Sequence, residues 1–426
     1  MGSPTEVASV LVAVRARSTG WIALLAVLGV LLAGLVAGAG PAAAAAAFPR
    51  IDASTVDSYR LTPGSVADTY GKRIAALERN AQLAPRGVAD VLASANRTAR
   101  PLCHATYLAS ALNPKGFCWQ DGEDDDENVW IPQGVSGSGD ANPATGTVGG
   151  RRVVVADWHD GNDDFIRVSF VDITDPNRMT YRHVLLVEPS SDTTFKAVAG
   201  HGHGLAWSGN LLFVATSGSL IRVFDVRHLW AVDTSTAQVG LGSDGKYHAR
   251  YHAFALPQVN AYWYPGGVGC ASLTGAHPCL SSLAVDHTGD GSLITVEHSA
   301  KGGGRVVRWP MDPGTGLLKV SSDQLVHAVE GFTSPVWGMQ GAVARDGYFV
   351  ITGVCPEYAG QTGVDRPSCL HGGVGGVSTF RLAGQAPVNS QNLSYWPATG
   401  ELWLISEQLR ERVTVRVPFN TLTGTA

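Results

Sequence analysis

Charge is scarce in this chain: only 16% of its 426 residues are Asp, Glu, Lys or Arg. That excludes a highly charged disordered chain and argues against long salt-bridged helices. The few charges nearly balance, 31 basic against 36 acidic, so neither nucleic acid nor an anionic membrane is expected as a partner. Cysteine is limited to 6 residues, with no CxxC pair of the kind that builds zinc or redox sites. Glycine is plentiful at 51 residues, which suits many tight turns between short strands.

Long apolar runs are confined to the N-terminus. Arg15 and Arg17 precede an apolar stretch from Trp21 to Ala37, and Gly38 to Ala47 are all Gly, Ala or Pro. Residues 1–47 therefore read as a signal peptide, cleaved near Ala45–Ala47. A retained transmembrane helix is the rival reading, but no basic cluster follows to stop transfer. Cleavage removes Glu6, Arg15 and Arg17, leaving 29 basic and 35 acidic residues. The expected product is secreted, without a stable membrane anchor.

The cysteines fall in three close pairs, and local disulfides Cys103–Cys118, Cys270–Cys279 and Cys355–Cys369 are expected, all outside the apolar strands. Residues 48–120 are expected to form a helical extension and a ring-closing segment. Val66, Tyr70, Ile74 and Leu77 recur at helical spacing, with Ser65 and Asp68 resembling a capping box. Val88, Val91 and Leu92 suggest a second short helix.

Within residues 121–426 one pattern recurs five times: a polar residue, a small residue, an apolar step, a turn and two apolar strands. The copies begin at Gln133, His203, Ser281, Gln340 and Gln391. Their spacings are too irregular for a WD40 array. Each copy reads as one antiparallel sheet, and together they predict an all-β, five-bladed β-propeller; a two-sheet sandwich is the rival. Outer strands are expected at 181–189, 247–257 and 325–332. The second strands should bury Val154, Phe213, Ile294, Phe349 and Trp403. The fifth copy is short, so a strand within 100–130 is expected to close the ring.

In such a ring two columns of the repeat meet at one mouth of a central channel. The first column is Gln133, His203, Ser281, Gln340 and Gln391; the second is Asp157, Thr216, Glu297, Thr352 and Ser406. His201 and His203, flanked by glycines, are the most specific signal. Residues two apart on a strand face one side, which also suits a metal. A divalent cation is thus the one cofactor with any support. Asp157 and Glu297, with His203, are acid–base candidates for cleaving a glycosidic bond. Trp158 and His298, next to these carboxylates, are expected to give sugar rings a flat surface to stack on, and Trp337 with Tyr262 to Tyr264 to add to a rim. The acidic run Asp121 to Glu127 reads as a solvated loop. Asp160, Asn162 and Asp164 suit either a hard cation or a plain turn.

The runs WIPQGVSGSGDA (130–141), RVSFVDITDP (167–176), YRHVLLVEP (181–189), GLAWSGNLLFVATS (204–217) and LIRVFDVRHLW (220–230) resemble secreted proteins of high-GC Gram-positive bacteria. The resemblance implies export and a propeller-like fold, with no catalytic residues to carry over. Pro132 to Val135 resemble the TQGL-like strand of plant-type glutaminyl cyclases. Arabinanase-like glycosidases use three carboxylates, of which Asp157 and Glu297 would supply two. Three functions stay open: binding of a small polar ligand such as a saccharide or cell-wall component, a hydrolase or lyase acting on one, and a protein-interaction module.

Overall fold

The computed structural model describes residues 46–64, 66–273, 275–361 and 365–423. The signal-peptide reading falls almost wholly outside these residues, as does Ser65 of the expected capping box. Among the described residues no helix is long and apolar enough to cross a membrane.

The chain is mostly β. Each copy of the repeat folds as one antiparallel set of strands. The first runs Trp130–Gly137, Val153–Asp160, Ile166–Asp172 and Thr180–Pro189. The second is Gly202–Ser208, Leu211–Thr216, Leu220–Asp225 and Phe254–Trp263. Its outer strand thus begins later than expected, because Tyr247–Ala249 pairs in a separate hairpin with Val239–Leu241. The third set is Ser282–Asp286, Ser292–Val296, Arg305–Pro310 and Glu330–Thr333. The fourth starts at Gly341–Arg345 and Tyr348–Val354, and the fifth at Ser390–Trp396 and Glu401–Ser406. The inner strands adjoin one another in cyclic order, the fifth returning to the first.

Alternation along the second strands explains the core. Val154, Phe213, Ile294, Phe349 and Trp403 are all buried between neighbouring sets, each contributing roughly 1.5–3 kcal/mol. The small residue after each polar start has a different cause. A Cβ on Gly134 would fall 2.5 Å from the Leu205 amide nitrogen, and one on Gly341 would fall 2.9 Å from Asn392 Cα. These positions meet at the axis of the ring. The buried Asn392 amide spans it, donating to the carbonyls of Leu205 and Leu283 at 3.0 and 2.9 Å. The expected open channel is therefore closed at this level, leaving a cup with a floor.

The N-terminal segment is a belt rather than a helical arm. Its helices α1 (Ala53–Ser58), α2 (Val66–Leu77) and α3 (Val88–Ala93) are short. Between them extended pieces pair along the outer edges of the sets. Ala46–Ala47 pairs with Ser378–Thr379 of the fourth set, and Arg50 bridges to Phe332 of the third. Arg60–Pro63 pairs with Val326–His327 and with Tyr262–Trp263 of the second. Arg97–Thr98 pairs with Thr180–Tyr181 of the first. Lys115–Cys118 then pairs with Val413–Arg416 and completes the fifth set, as expected. The unpaired edge that each outer strand would otherwise offer is covered in this way.

All three disulfides are the local ones. Cys118 and Cys369 nevertheless lie within strands, Lys115–Cys118 and Pro367–Val374, not outside them. The acidic run is solvated only in part: Asp121 and Glu127 are exposed, but its centre is not. Asp124 is buried between Arg167 at 2.6 Å and His183 at 2.9 Å, and Asp125 accepts the Arg412 amide at 2.9 Å. Proximity of these cationic and donor groups holds the Asp124 carboxyl well below the usual carboxylate range, against the cost of burial.

Candidate functional site

Three inner strands carry an irregularity where the polar residue stands. The register shifts between Pro132 and Gly134, between Gly202 and Gly204, and between Ser390 and Leu393. Gln133, His203, Gln391 and Asn392 are thus bulge residues, and a bulge re-aims its side chain out of the alternation of the strand. Ser281 and Gln340 precede their strands instead, with amides donating to Val296 and Thr352 at 2.8 and 3.0 Å. All five polar starts stand one residue before the closed axis and so surround the cup.

Histidines dominate one wall. His159 and His201 have ring centroids 3.7 Å apart, and His201 and His203 4.5 Å apart. Asp163 anchors the group: its Oδ1 lies 2.7 Å from His159 Nδ1 and 3.2 Å from His201 Nδ1. His298 faces them from the third set and bonds Gln340. Burial first, then the neighbouring imidazoles, pushes His203 down to about 3. Burial also lowers His201, and partial desolvation lowers His298, whose ring keeps solvent access. At neutral pH His201, His203 and His298 are therefore uncharged, each with one donor and one acceptor nitrogen. From the first and fifth sets, Gln133 donates to Glu407, a carboxyl raised by burial. Gln391 is buried and donates to the Asn389 carbonyl at 3.3 Å.

Asp157 lies beneath this surface with no exposure. Its carboxyl fits between Gly134 and Gly202: a Cβ on either would fall 1.9 Å and 2.6 Å from its oxygens. The Gly134 amide comes near without making a well-formed hydrogen bond. Burial raises the pKa to about 7.

The other expected site residues lie elsewhere. Glu297 is fully buried and gripped by Arg305, Nε to Oε2 and Nη2 to Oε1 both at 2.7 Å, and it accepts the Cys279 amide at 3.0 Å. Its oxygens are committed to holding the Cys270–Cys279 loop on the third set. Trp158 is core, its Nε1 donating to Ser169 at 2.7 Å. Tyr262 and Tyr264 are buried, not at the rim. Trp337 is half-buried beside Gly360. Asp160 caps a turn, accepting the amides of Asp164 and Phe165 at 2.7 and 3.0 Å.

Three contributors escaped the sequence reading: His159, Asp163 and Glu407. His159 stands two residues after Asp157 on the same strand, and Glu407 holds the repeat position that His298 occupies in copy three. Both signals were present. One donor atom each from His159, Asp163 and His201 lie within 4.8 Å of one another. Such a set suits a borderline divalent ion rather than calcium, which prefers an all-oxygen shell.

No protein-family model matches the chain, and no curated protein is similar to it. Solved structures give distant likenesses. Pseudomonas fluorescens PhoX, solved with vanadate, is 8% identical over 77% of this chain and 98% of its own, with a TM-score of 0.37. The exo-β-1,3-galactanase of Phanerochaete chrysosporium is 11% identical over 69% and 65%, at 0.34. Myxococcus xanthus glutaminyl cyclase is 12% identical over 64% and 70%, at 0.25. At these values they set neither a family nor an activity.

Proposed function

We propose that the chain is a secreted five-bladed β-propeller whose cup binds a small, uncharged, hydroxyl-rich ligand, a saccharide or cell-wall component. One observation carries this reading: the neutral imidazoles of His201, His203 and His298 together with the Gln133–Glu407 pair. Each neutral imidazole offers a donor and an acceptor, the pairing a sugar hydroxyl needs. Secretion is supported by the three disulfides, and the blade count by five inner strands that adjoin in a cycle, although the first two sets are joined into one sheet where Leu185–Val187 pairs in parallel with Ala255–Pro257.

A hydrolase or lyase has one observation in its favour, the raised Asp157 pKa, which a general acid needs. Yet Asp157 is sealed beneath the cup, Glu297 is tied to Arg305, and Glu407 accepts from Gln133. Binding is the better reading.

The test is calorimetric titration of the chain with cell-wall oligosaccharides. Tenfold or greater weakening is expected for His203→Ala and Glu407→Gln, at unchanged melting temperature. Binding that survives both variants would move the site to the loops.

A further inference from the structure

We propose that a second pocket, on the outer flank of the first strand set, takes a tetrahedral oxyanion: a phosphate or sulfate, free or esterified to a sugar. The pocket is a cavity of about 260 Å³ walled by Arg97, Arg167, Arg182 and Arg250, with Trp130 and Tyr251 beside them, and among the described residues no carboxylate lines it. Its volume suits a small ligand.

The guanidiniums are not all neutralised. Arg97 and Arg167 share Asp124, at 3.2 and 2.6 Å, and Arg97 also reaches Glu123 at 2.8 Å. Arg250 meets Asp160 at 3.2 Å. Among the described residues no carboxylate pairs with Arg182, whose Nη1 donates to the Ser94 carbonyl at 2.8 Å. Nε of the buried Arg167 finds no acceptor among the described residues. Burial first, and then the nearby Arg97, lower the Arg182 pKa. An oxyanion supplies both the missing charge and the missing acceptors, and planar guanidinium forks match its geometry.

The cations are also held in place before any ligand arrives. Arg167 and Arg250 lie over the Trp130 ring at 4.3 and 5.4 Å, and Arg250 stacks on Phe165 at 3.7 Å. Arg250 and Tyr251 are consecutive left-handed residues, at φ of 48° and 64°. That costly backbone sets Tyr251, 62% exposed, at the lip. There its ring would meet the organic part of an ester.

The experiment is calorimetric titration of the full chain with inorganic phosphate, sulfate, glucose 6-phosphate and, as uncharged control, glucose. At least one anion should bind at micromolar to millimolar concentration, more weakly as salt rises, and glucose should not bind here. Tighter binding of the sugar phosphate than of phosphate would identify an ester as the ligand, and the reverse a free ion. Arg182→Gln should weaken binding tenfold or more and Arg182→Lys less, while His203→Ala in the cup leaves it unchanged. Should Arg182→Gln lower the melting temperature by itself, the Arg182→Lys titration decides. Silence with every anion, or equal anion binding by wild type and both Arg182 variants, would overturn the proposal.

Discussion

At the scale of single residues, Asp157 has the plainest consequence. Its folded pKa of about 7 lies above the unfolded value of 3.8. The folded state thus holds the proton more tightly, and stability is greatest below the unfolded value and falls as pH rises through the folded one. The span corresponds to about 4 kcal/mol, an upper figure for an enclosed carboxyl. Asp157→Asn removes the ionisation while keeping the shape. Urea unfolding should find the variant at least as stable as wild type at pH 8, with a flatter profile between pH 5 and 8; an unchanged slope would show that Asp157 is ionised throughout. The sequence put Asp157 at the right height in the repeat but not at the right depth. Depth depends on Gly134 and Gly202 from two other strands, and no spacing within one copy reveals that. Glu297 differs: its partner Arg305 lies in the same copy, eight residues on and across a turn, within reach of a local reading.

Elements were more legible than contacts. Helix α2 and the five strand pairs follow from period and turn chemistry, which are local. The belt was not legible, since its edge pairings join residues up to hundreds of positions apart and its strands are two to four residues long. One contact shows how it is fastened. Glu78, just past α2, accepts from Trp230 Nε1 at 3.0 Å and lies 2.7 Å from His228 Nδ1. Hydrogen bonding to Glu78 raises the His228 pKa above 6.5. This contribution is complete below pH 6.5 and is lost as pH rises past the raised value. For a partly exposed pair it is worth about 1 kcal/mol or less. Hydrogen exchange of the α2 amides should therefore quicken, relative to intrinsic rates, between pH 6 and 8.5. Glu78→Gln should abolish that difference; if the variant keeps it, another group fastens the helix.

At the scale of the whole molecule, the ring is closed by a strand that arrives from the far end of the sequence. Lys115–Cys118 completes the fifth set, so Val413–Pro418 is an inner neighbour only while that strand stays docked. Its closeness depends on Gly116, where a Cβ would fall 2.1 Å from the Thr414 carbonyl oxygen. Gly116→Val should force the strand off its partner without touching the cup or the Cys103–Cys118 bond. Freed of cover, Val413–Pro418 offers a row of unpaired backbone groups, the usual template for pairing with a second chain. The expected result is a melting temperature lower by several degrees, together with a mass that rises with concentration in analytical ultracentrifugation. Gly400→Val, at a half-buried turn where a Cβ meets no atom within 4 Å, serves as control. It tests the cost of the same side chain away from the seam, although its left-handed φ of 63° brings some strain of its own. Loss of stability in both variants without self-association in Gly116→Val would mean that the ring holds without its latch. Self-association in Gly116→Val alone would locate the closure of the ring at Lys115–Cys118.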